Sequence, residues 1–203
     1  MLKVLLTGFE PFNNARLNPS GELVNQIKAD SVEGAHISTA VLPVAYSESA
    51  SKLLALIEDD DPDVIICFGQ AEGRISITPE RFAVNLNDAS IADNSGEKRV
   101  NQRIALDSPI AFESTLPVSD LVDALKEVGI PATSSLTAGA FVCNHIFYEL
   151  QRELQGKAKM SGFVHVPLMK EQQEDFPGLF TMHLDDMVLA AKTILATVVA
   201  TRS

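Results

Sequence analysis

The chain has 203 residues, of which 46% are hydrophobic, and a formal net charge of −11 from 16 basic and 27 acidic residues. This length fits a single domain (1–203) that buries about 70% of its unfolded surface. The negative charge disfavours nucleic acid and anionic membranes as partners, and no apolar run approaches the ~18 residues of a membrane span. Two cysteines in apolar surroundings, Cys67 and Cys143, and the lack of a signal-peptide pattern predict a reduced, cytoplasmic protein. The expected partner is a small molecule or a peptide.

Apolar runs and capping residues predict alternating strands and helices along the chain. In order, the predicted elements are a strand at 2–7, a helix from Asn18 to about Lys28, a strand at 37–42, a helix capped near Ser47 and ending near Glu58, a strand at 64–68, a strand-like region at 74–86, a strand at 111–118, a helix capped by Ser119 and ended by Gly129, a strand at 132–136, a helix that contains Cys143, a strand at 160–166 and a helix at 184–199. This alternation predicts an α/β fold of three layers, α/β/α, with helices on both faces of a twisted, mostly parallel central sheet. Ligands in such folds bind at the carboxyl ends of the strands.

The region from 74 to 86 changes its apolar phase in the middle. Apolar residues occupy odd positions before Pro79 and even positions after Arg81. Because a shift of one residue turns every side chain to the other face, the pattern predicts a bulge or bend. Glu80 then shares the apolar face. The polar stretch at 87–108 has no clear periodicity and is predicted to be a long surface loop of the kind that often binds ligands.

Cys143 lies near the start of a predicted helix. Unpaired backbone N–H groups and the helix dipole favour a negative charge there, so the pKa of the thiol can fall from about 8.5 into the range of about 3.5–7.5. A thiol of that kind is a nucleophile. The competing interpretation is core packing, since Cys143 shares an apolar helix face with Ile146, Phe147 and Leu150.

Other chemistries lack the motifs that they need. The loops contain neither G-x-G-x-x-G nor G-x-x-x-x-G-K-[ST], so a nucleotide site is supported only by analogy of fold. The two cysteines and four histidines are scattered and form no metal-ligand motif. The G-x-S-x-G motif of serine α/β-hydrolases is also absent from the sequence.

A cysteine nucleophile needs a base within hydrogen-bonding reach, and geometry distinguishes the four histidines. His145 is two positions beyond Cys143, so it is predicted on the opposite, solvent-facing side of the helix. His36 opens a strand at the amino-terminal edge of the sheet, and His183 precedes the last helix. His165 ends an apolar strand that directly follows the Cys143 helix, so it is the predicted base, with a buried core histidine as the alternative.

A third group must hold the imidazole ring in the correct tautomer. Glu80, Asp88, Asp93 and Glu10 all lie in suitable loops or strand ends, and periodicity does not choose among them. Glu80 stands out because a carboxylate on an apolar face needs a partner, although an ion pair with Arg74 would also explain it.

The residues and their order resemble those of the pyrrolidone carboxyl peptidases, also called pyroglutamyl peptidases type I. The resemblance covers nearly the whole chain. Its short motifs are Thr7-Gly8-Phe9-Glu10-Pro11-Phe12, Asn18-Pro19-Ser20, Gly69-Gln70-Ala71 with Gly73-Arg74, Glu80-Arg81 with Asn85, Asp93-Asn94, Ala138-Gly139 with Val142-Cys143-Asn144, and His165-Val166-Pro167. Each motif is weak alone, but together and in the same order they are specific.

The resemblance implies a cysteine peptidase that removes N-terminal pyroglutamyl residues from peptides, uses no metal or other cofactor, and forms a homo-oligomer, either a dimer or a tetramer. Carried over by position, Cys143 is the nucleophile, His165 is the base and Glu80 orients the base. The residues carried over to the lactam pocket are Phe9 and Phe12, which sandwich the ring, and Gln70, Ile91, Phe141 and Val142. The backbone N–H of Cys143 is expected to donate to the oxyanion, where loss of a donor typically costs about 2.7–4 kcal/mol.

Several departures from the family pattern bear on activity. Ser90 stands where the family commonly has an arginine that helps at the oxyanion site, and Ala92 stands where it has proline. Asn13-Asn14 replace glycines after the first motif, and Glu72 replaces a glycine in the loop that follows Gly69. Two alternatives therefore stay open: a weakened or non-catalytic binder of pyroglutamyl-like N-termini, and a cysteine amidohydrolase that acts on another small amide.

Overall fold

The structure is a computed structural model that describes residues 1–27 and 32–202. A mostly parallel sheet forms its centre. The strands and helices in chain order are β1 (Leu2–Phe9), α1 (Pro19–Ile27), β2 (Ala35–Leu42), α2 (Tyr46–Asp60), β3 (Val64–Gln70), β4 (Thr78–Pro79), β5 (Phe82–Val84), β6 (Ala111–Glu113), α3 (Val118–Glu127), α4 (Val142–Leu154), β7 (Met160–Val166), β8 (Leu168–Met169), β9 (Thr181–Met182) and α5 (Leu184–Arg202). The sheet has the order β2-β1-β3-β7-β4, and its neighbours are parallel except that β4 runs antiparallel to β7. The predicted α/β fold is confirmed.

Helices cover both faces of the sheet and complete the three layers. α1, α3 and α5 surround one core, which includes Leu121 and Ile194, whereas α2 and α4 surround the other, which includes Phe147. Within β3, Ile66 enters the first core and Ile65 the second. A strand that is buried on both faces needs apolar residues at every position, which explains the continuous apolar run.

α1 begins as the sequence predicts. Asn18 Oδ1 accepts the backbone N–H of Ser20 at 3.1 Å, as an N-cap side chain does, and Pro19 is the first helical residue. The helix is described as far as Ile27, so its predicted end near Lys28 lies outside the described residues. Within residues 1–27 and 32–202, no helix is long and apolar enough to cross a membrane.

The predicted cap of α2 is wrong. The helix begins at Tyr46 with Ala45 as its N-cap, so Ser47 lies inside the first turn. Ala45 has no side-chain acceptor. Asp93 supplies one instead, because its Oδ2 accepts the Tyr46 N–H at 2.9 Å from 47 positions away. A tertiary contact therefore caps this helix.

The segment before α3 also differs from its prediction. The strand predicted at 111–118 is only Ala111–Glu113, and α3 begins at Val118. Pro117 is the N-cap residue and has no N–H for a sheet, so the chain turns into the helix before Ser119. Gly129, with a φ of 80°, ends α3 as predicted.

The region from 74 to 86 bends at Glu80, as its phase change predicts. β4 joins the central sheet before the bend, and β5 pairs with β6 in a separate two-stranded sheet after it. The strand predicted at 132–136 is absent. That segment instead makes two isolated parallel bridges, Ala132 with Ile77 and Ser135 with Glu80, on either side of the bend's start, so no continuous ladder forms.

Candidate active site

Cys143 is the second residue of α4, at the carboxyl-terminal edge of the sheet. Phe141 is the N-cap and makes no side-chain capping hydrogen bond. The first helical hydrogen bond back to this residue comes from His145, whose N–H lies 3.0 Å from Phe141 O. The N–H groups of Val142 and Cys143 thus have no intrahelical acceptor, and this end of the helix favours an anion.

Gly69 leaves the space that the Cys143 sulfur occupies. A Cβ atom on Gly69 would lie 3.0 Å from Cys143 Sγ and 2.7 Å from the ring of Phe163. Gly69 is paired with His165 across β3 and β7, and paired residues place their side chains on the same face of a sheet. The imidazole of His165 and the sulfur of Cys143 are therefore on one face, at neighbouring strands.

Glu80 lies behind His165 because of the bend after β4. Thr78 pairs with His165 in the sheet, and the Glu80 N–H donates to Phe163 O at 2.9 Å. The Glu80 carboxylate Oε1 is 2.7 Å from His165 Nδ1. Because a carboxylate only accepts hydrogen bonds, Nδ1 carries the proton and Nε2 keeps a free lone pair.

The Glu80 carboxylate is fully buried, and Arg74 shares it with His165. Arg74 donates to Glu80 Oε1 at 3.1 Å and to Ser135 Oγ at 3.3 Å. Glu80 Oε2 has no partner among the residues that the structure describes. Glu80 thus contacts both His165 and Arg74, the partners that its two sequence interpretations name.

The Cys143 thiol does not have the lowered pKa that its helix position suggests. Burial raises the pKa of this thiol to about 12, and the negative charge of Glu80 and the nearby Cys67 contribute in the same direction. Desolvation thus outweighs the helix terminus. A thiol with a raised pKa needs a base to activate it.

A cavity of about 490 Å³ opens at this edge of the sheet. Five of the six residues predicted for the lactam pocket line it together with Cys143, namely Phe9, Phe12, Gln70, Phe141 and Val142. The rings of Phe12 and Phe141 lie 5.2 Å apart between centroids. Aromatic rings thus form part of the cavity wall beside Cys143, and polar residues such as Asn13 and Gln70 form much of the rest.

Ile91 is the sixth, and the structure does not bring it into the cavity. Its side chain is 49% exposed, and it is absent from the cavity lining. The chain on either side is held elsewhere, since the Asp88 N–H donates to Ala140 O at 2.9 Å and Asp93 binds α2. These two anchors leave the intervening turn, which contains Ser90 and Ile91, on the outside of the loop.

His145 is buried, so its prediction as a surface residue is wrong. Its ring meets the edge of Tyr46 at 5.4 Å, and Arg99 lies over the same tyrosine at 4.5 Å. Tyr46 of α2 thus packs on His145, with Arg99 of the loop at 87–108 on the tyrosine ring. Burial lowers the pKa of His145 to about 4, helped by the charges of Arg99 and Arg152.

The other acidic candidates for the orienting role have different partners. Glu10 Oε1 accepts the Val44 N–H at 3.2 Å, Asp88 Oδ1 accepts the Asn101 N–H at 3.1 Å, and Asp93 caps α2. His36 and His183 are exposed and do not line the cavity. In the described part of the chain, no three His, Cys, Asp or Glu side chains form a group that could hold a metal ion.

Two buried residues near the site have no distinguishing pattern in the sequence. Asn144 follows Cys143, and its side chain joins α4 to β5 through hydrogen bonds of 2.9 Å to Val84 N and O. Gln172 donates to Gln70 Oε1 at 3.0 Å. Both contacts join distant segments, and polar residues in a helix or loop are ordinarily read as solvent-facing.

Comparison with known proteins gives a consistent family assignment. A family model described as pyroglutamyl peptidase matches residues 2–202. A pyrrolidone-carboxylate peptidase of Vibrio parahaemolyticus is 43% identical over 199 residues, which cover 98% of this chain and 93% of the relative. One of Bacillus licheniformis is 44% identical over 177 residues, which cover 86% and 82%.

The fold agrees with solved structures. A crystal structure of pyroglutamyl peptidase I from Bacillus amyloliquefaciens superposes with a TM-score of 0.93 at 40% identity and covers 98% of both chains. A pyrrolidone carboxyl peptidase from Thermococcus litoralis gives a TM-score of 0.95 at 32% identity, with 100% of this chain and 95% of the other covered.

Proposed function

The chain belongs to the pyroglutamyl peptidase family, and from that premise we propose that Cys143, His165 and Glu80 are its catalytic machinery. It is a cysteine-type peptidase that removes N-terminal pyroglutamyl residues from peptides through a thioester. The match over residues 2–202 supports a single catalytic domain.

One observation carries the catalytic assignment. Cys143 Sγ fills the space beside Gly69, whose partner in the sheet is His165, and Glu80 contacts the far side of the same imidazole at 2.7 Å. A nucleophile, a base and an orienting carboxylate thus follow one another in the order that the chemistry needs.

In the first step, His165 Nε2 accepts the Cys143 thiol proton while Sγ attacks the scissile carbonyl carbon. The carbonyl electrons move to the oxygen, and the Cys143 N–H at the start of α4 donates to that oxyanion. Glu80 stabilises the imidazolium that forms. Because the resting thiol has a pKa of about 12, proton transfer and attack are coupled.

The second step releases the peptide. The imidazolium donates its proton to the leaving amine, the C–N bond breaks, and a thioester joins the pyroglutamyl group to Cys143. A water molecule that gives its proton to His165 then attacks the thioester, which frees pyroglutamate and restores the thiol.

The cavity suits a small, flat and uncharged ring. Phe9, Phe12 and Phe141 offer aromatic walls, and Gln70 offers an amide for the lactam. The alternative role of Phe9 and Phe12, anchoring the loop after β1, is compatible with this contact.

Hydrolysis of a pyroglutamyl amide reporter tests the proposal. The purified wild type is expected to release the reporter, and Cys143→Ala is expected to lose at least ~10³-fold in kcat/KM. Cys67→Ala is the matched control, since it removes the other free thiol from a buried strand position and leaves the cavity lining unchanged. Equal activity of wild type and Cys143→Ala would overturn the assignment.

The same protein separates the alternatives. Tight binding of a pyroglutamyl peptide without turnover would favour a weakened or non-catalytic binder, for which Ser90 is the motivating departure. Turnover of other small amides in preference to the pyroglutamyl reporter would favour an amidohydrolase.

We also propose a homo-oligomer in the cytoplasm, either a dimer or a tetramer. The long loop at 87–108 and the residues just after it expose large apolar side chains, among them Leu106 (79%) and Ile110 (81%), and exposed apolar patches commonly mark contacts between protein copies. Two free cysteines fit a reducing compartment. Light scattering after size exclusion measures the assembly, and a monomer would contradict it. Recovery of the protein outside the cytosolic fraction of its native cells would contradict the location.

A further inference from the structure

Gln172 is a buried polar residue in a short 3-10 turn (Lys170–Gln172) that follows β8. Its side chain is 2% exposed. Its Oε1 accepts the backbone N–H of Met169 at 3.0 Å. Because a backbone N–H can only donate, this contact determines which end of the Gln172 amide is oxygen. The Nε2 end must therefore face the other way.

That Nε2 group reaches the cavity wall. It donates to Gln70 Oε1 at 3.0 Å and more weakly to Leu17 O at 3.5 Å. The contact in turn determines the orientation of the Gln70 amide. Its oxygen faces Gln172, and within the described chain its Nε2 has no hydrogen-bond partner, although Gln70 lines the cavity beside Cys143.

We propose that Gln172 is a positioning residue that holds the Gln70 amide with its N–H donors towards the cavity. A relay from the Met169 N–H through Gln172 to Gln70 thus presents a donor to the bound ring. The pyroglutamyl ring carries one carbonyl acceptor, so a donor at this wall binds it. If the Gln70 amide were turned over, its oxygen would face the carbonyl oxygen of the lactam ring. The inference rests on the proposed function, because it concerns recognition of the pyroglutamyl lactam.

Gln172→Glu is the decisive variant, because it changes one group and almost no shape. The carboxylate still accepts the Met169 N–H but has no donor for Gln70. Gln70 then turns its own N–H to the carboxylate and its oxygen to the cavity. The lactam then loses its hydrogen bond from Gln70 and faces the Gln70 oxygen instead. We therefore expect KM for the pyroglutamyl reporter to rise by about 10–100-fold, with kcat within about threefold of the wild-type value.

Two further readouts separate positioning from general damage. The inhibition constant of 2-pyrrolidone, the lactam ring alone, should rise by the same factor as KM. The rate at which iodoacetamide alkylates Cys143 should match that of the wild type, since this small reagent does not use Gln70.

Gln173→Glu is the matched control. It makes the same change one residue along, where the amide accepts from Thr181 Oγ1 at 2.8 Å and donates to Leu179 O at 3.4 Å, away from the cavity. Its KM should equal that of the wild type. If Gln172→Glu does not fold, Gln172→Met removes the relay without the carboxylate and should raise KM by about threefold or more.

An unchanged KM and 2-pyrrolidone inhibition constant in the folded Gln172 variant would overturn the inference. So would a fall in kcat alone, since the residue would then act on the chemistry rather than on the lactam. Failure of the proposed function would look different, because the wild type itself would not release the pyroglutamyl reporter.

Discussion

Glu80 serves two partners through one carboxylate oxygen. Its Oε1 lies 2.7 Å from His165 Nδ1 and 3.1 Å from Arg74. In the proposed mechanism its charge acts on both reacting groups: it stabilises the imidazolium that forms on His165 in the first step, and it adds to the effect of burial in raising the pKa of the Cys143 thiol. The carboxylate therefore helps the base at the expense of the nucleophile's acidity.

Glu80→Gln should separate these effects. We expect kcat for the pyroglutamyl reporter to fall by about 10²-fold, because a neutral amide does not stabilise the imidazolium. The thiol pKa should fall at the same time, so alkylation of Cys143 by iodoacetamide between pH 8 and 11 should become faster than in the wild type. Glu113→Gln is the control, since it removes a carboxylate from an exposed ion pair with Arg81. Unchanged alkylation would contradict the prediction.

Ser90 lies in an exposed turn of the loop at 87–108. Two positions earlier, the Asp88 N–H donates to the backbone oxygen of Ala140, which lies just before α4. The family resemblance implies that an arginine at this position adds a charged donor at the oxyanion site. We expect Ser90→Arg to raise kcat by about 10-fold, since charge-assisted hydrogen bonds are stronger than neutral ones. Ser51→Arg adds the same charge on the exposed side of α2 and should leave kcat unchanged. An equal effect of both variants would show a general charge effect instead.

The long loop at 87–108 acts as a structural element, although it contains no helix or strand. It caps α2 through Asp93, pairs Asn87 with Gln102 in an isolated bridge, and places Arg99 over Tyr46, whose ring packs on His145. Burial alone would raise the pKa of Asp93. Hydrogen bonds from the Ser95 side chain and from the N–H groups of Tyr46, Glu97 and Ser95 outweigh it and lower the pKa.

Asp93→Asn should destabilise the fold by about 2 kcal/mol near neutral pH, because one cap and several loop hydrogen bonds lose the charged acceptor. A lowered pKa in the folded state contributes stability above the ordinary carboxyl value of 3.8 and loses it as the pH falls through the folded value. The difference in free energy of unfolding between wild type and variant, measured with urea, should therefore become smaller as the pH drops below about 4.

Asp88→Asn is the control for that experiment. Asp88 is exposed and accepts one hydrogen bond, from Asn101 N, so the same substitution should cost less than about 0.5 kcal/mol. A gap for Asp93→Asn that stays constant from pH 7 to pH 3 would contradict the role of its charge.

The bounds of a strand or helix are predicted correctly here where its pattern of apolar residues matches the faces that are buried. β7 spans Met160–Val166, the bounds that its apolar run predicts, because it is covered on both faces. The errors arise where residues distant in the sequence determine where a helix begins. Ser47 and Ser119 look like caps, yet α2 takes its cap from Asp93, and Pro117 turns the chain into α3 before Ser119 is reached.

The candidate site follows the same rule. The position of His165 at a strand end predicts its nearness to the Cys143 helix, since topology alone brings strand ends together. Glu80 is 85 positions from His165, so the bend and its buried face made it one of four acidic candidates, and the family resemblance selected it. The burial of His145 could not be predicted from its helix position, because its partner Tyr46 belongs to another helix. The role of Gln172 could not be predicted either, because its partner Gln70 is 102 positions away.

The molecule carries a net charge of −11, and the cavity mouth shares this sign. Arg16 and Asp175 line the mouth and pair at 3.4 Å, which leaves Glu72 as a lining carboxylate with no ion-pair partner in the described chain. The residue that follows pyroglutamate in a peptide must extend out through this mouth, so its charge should meet Glu72.

We expect the wild type to cleave a pyroglutamyl-lysine peptide faster than a pyroglutamyl-glutamate peptide, by about threefold in kcat/KM, the size typical of one exposed charge pair. Glu72→Gln should reduce this ratio towards one, and so should salt near 1 M, because exposed charges are screened there. Glu127→Gln makes the same change in net charge on α3, across the sheet, and should keep the ratio. If both variants reduced it equally, the overall field of the molecule rather than Glu72 would select the peptide; if neither salt nor Glu72→Gln changed it, charge at the mouth would have no part in specificity.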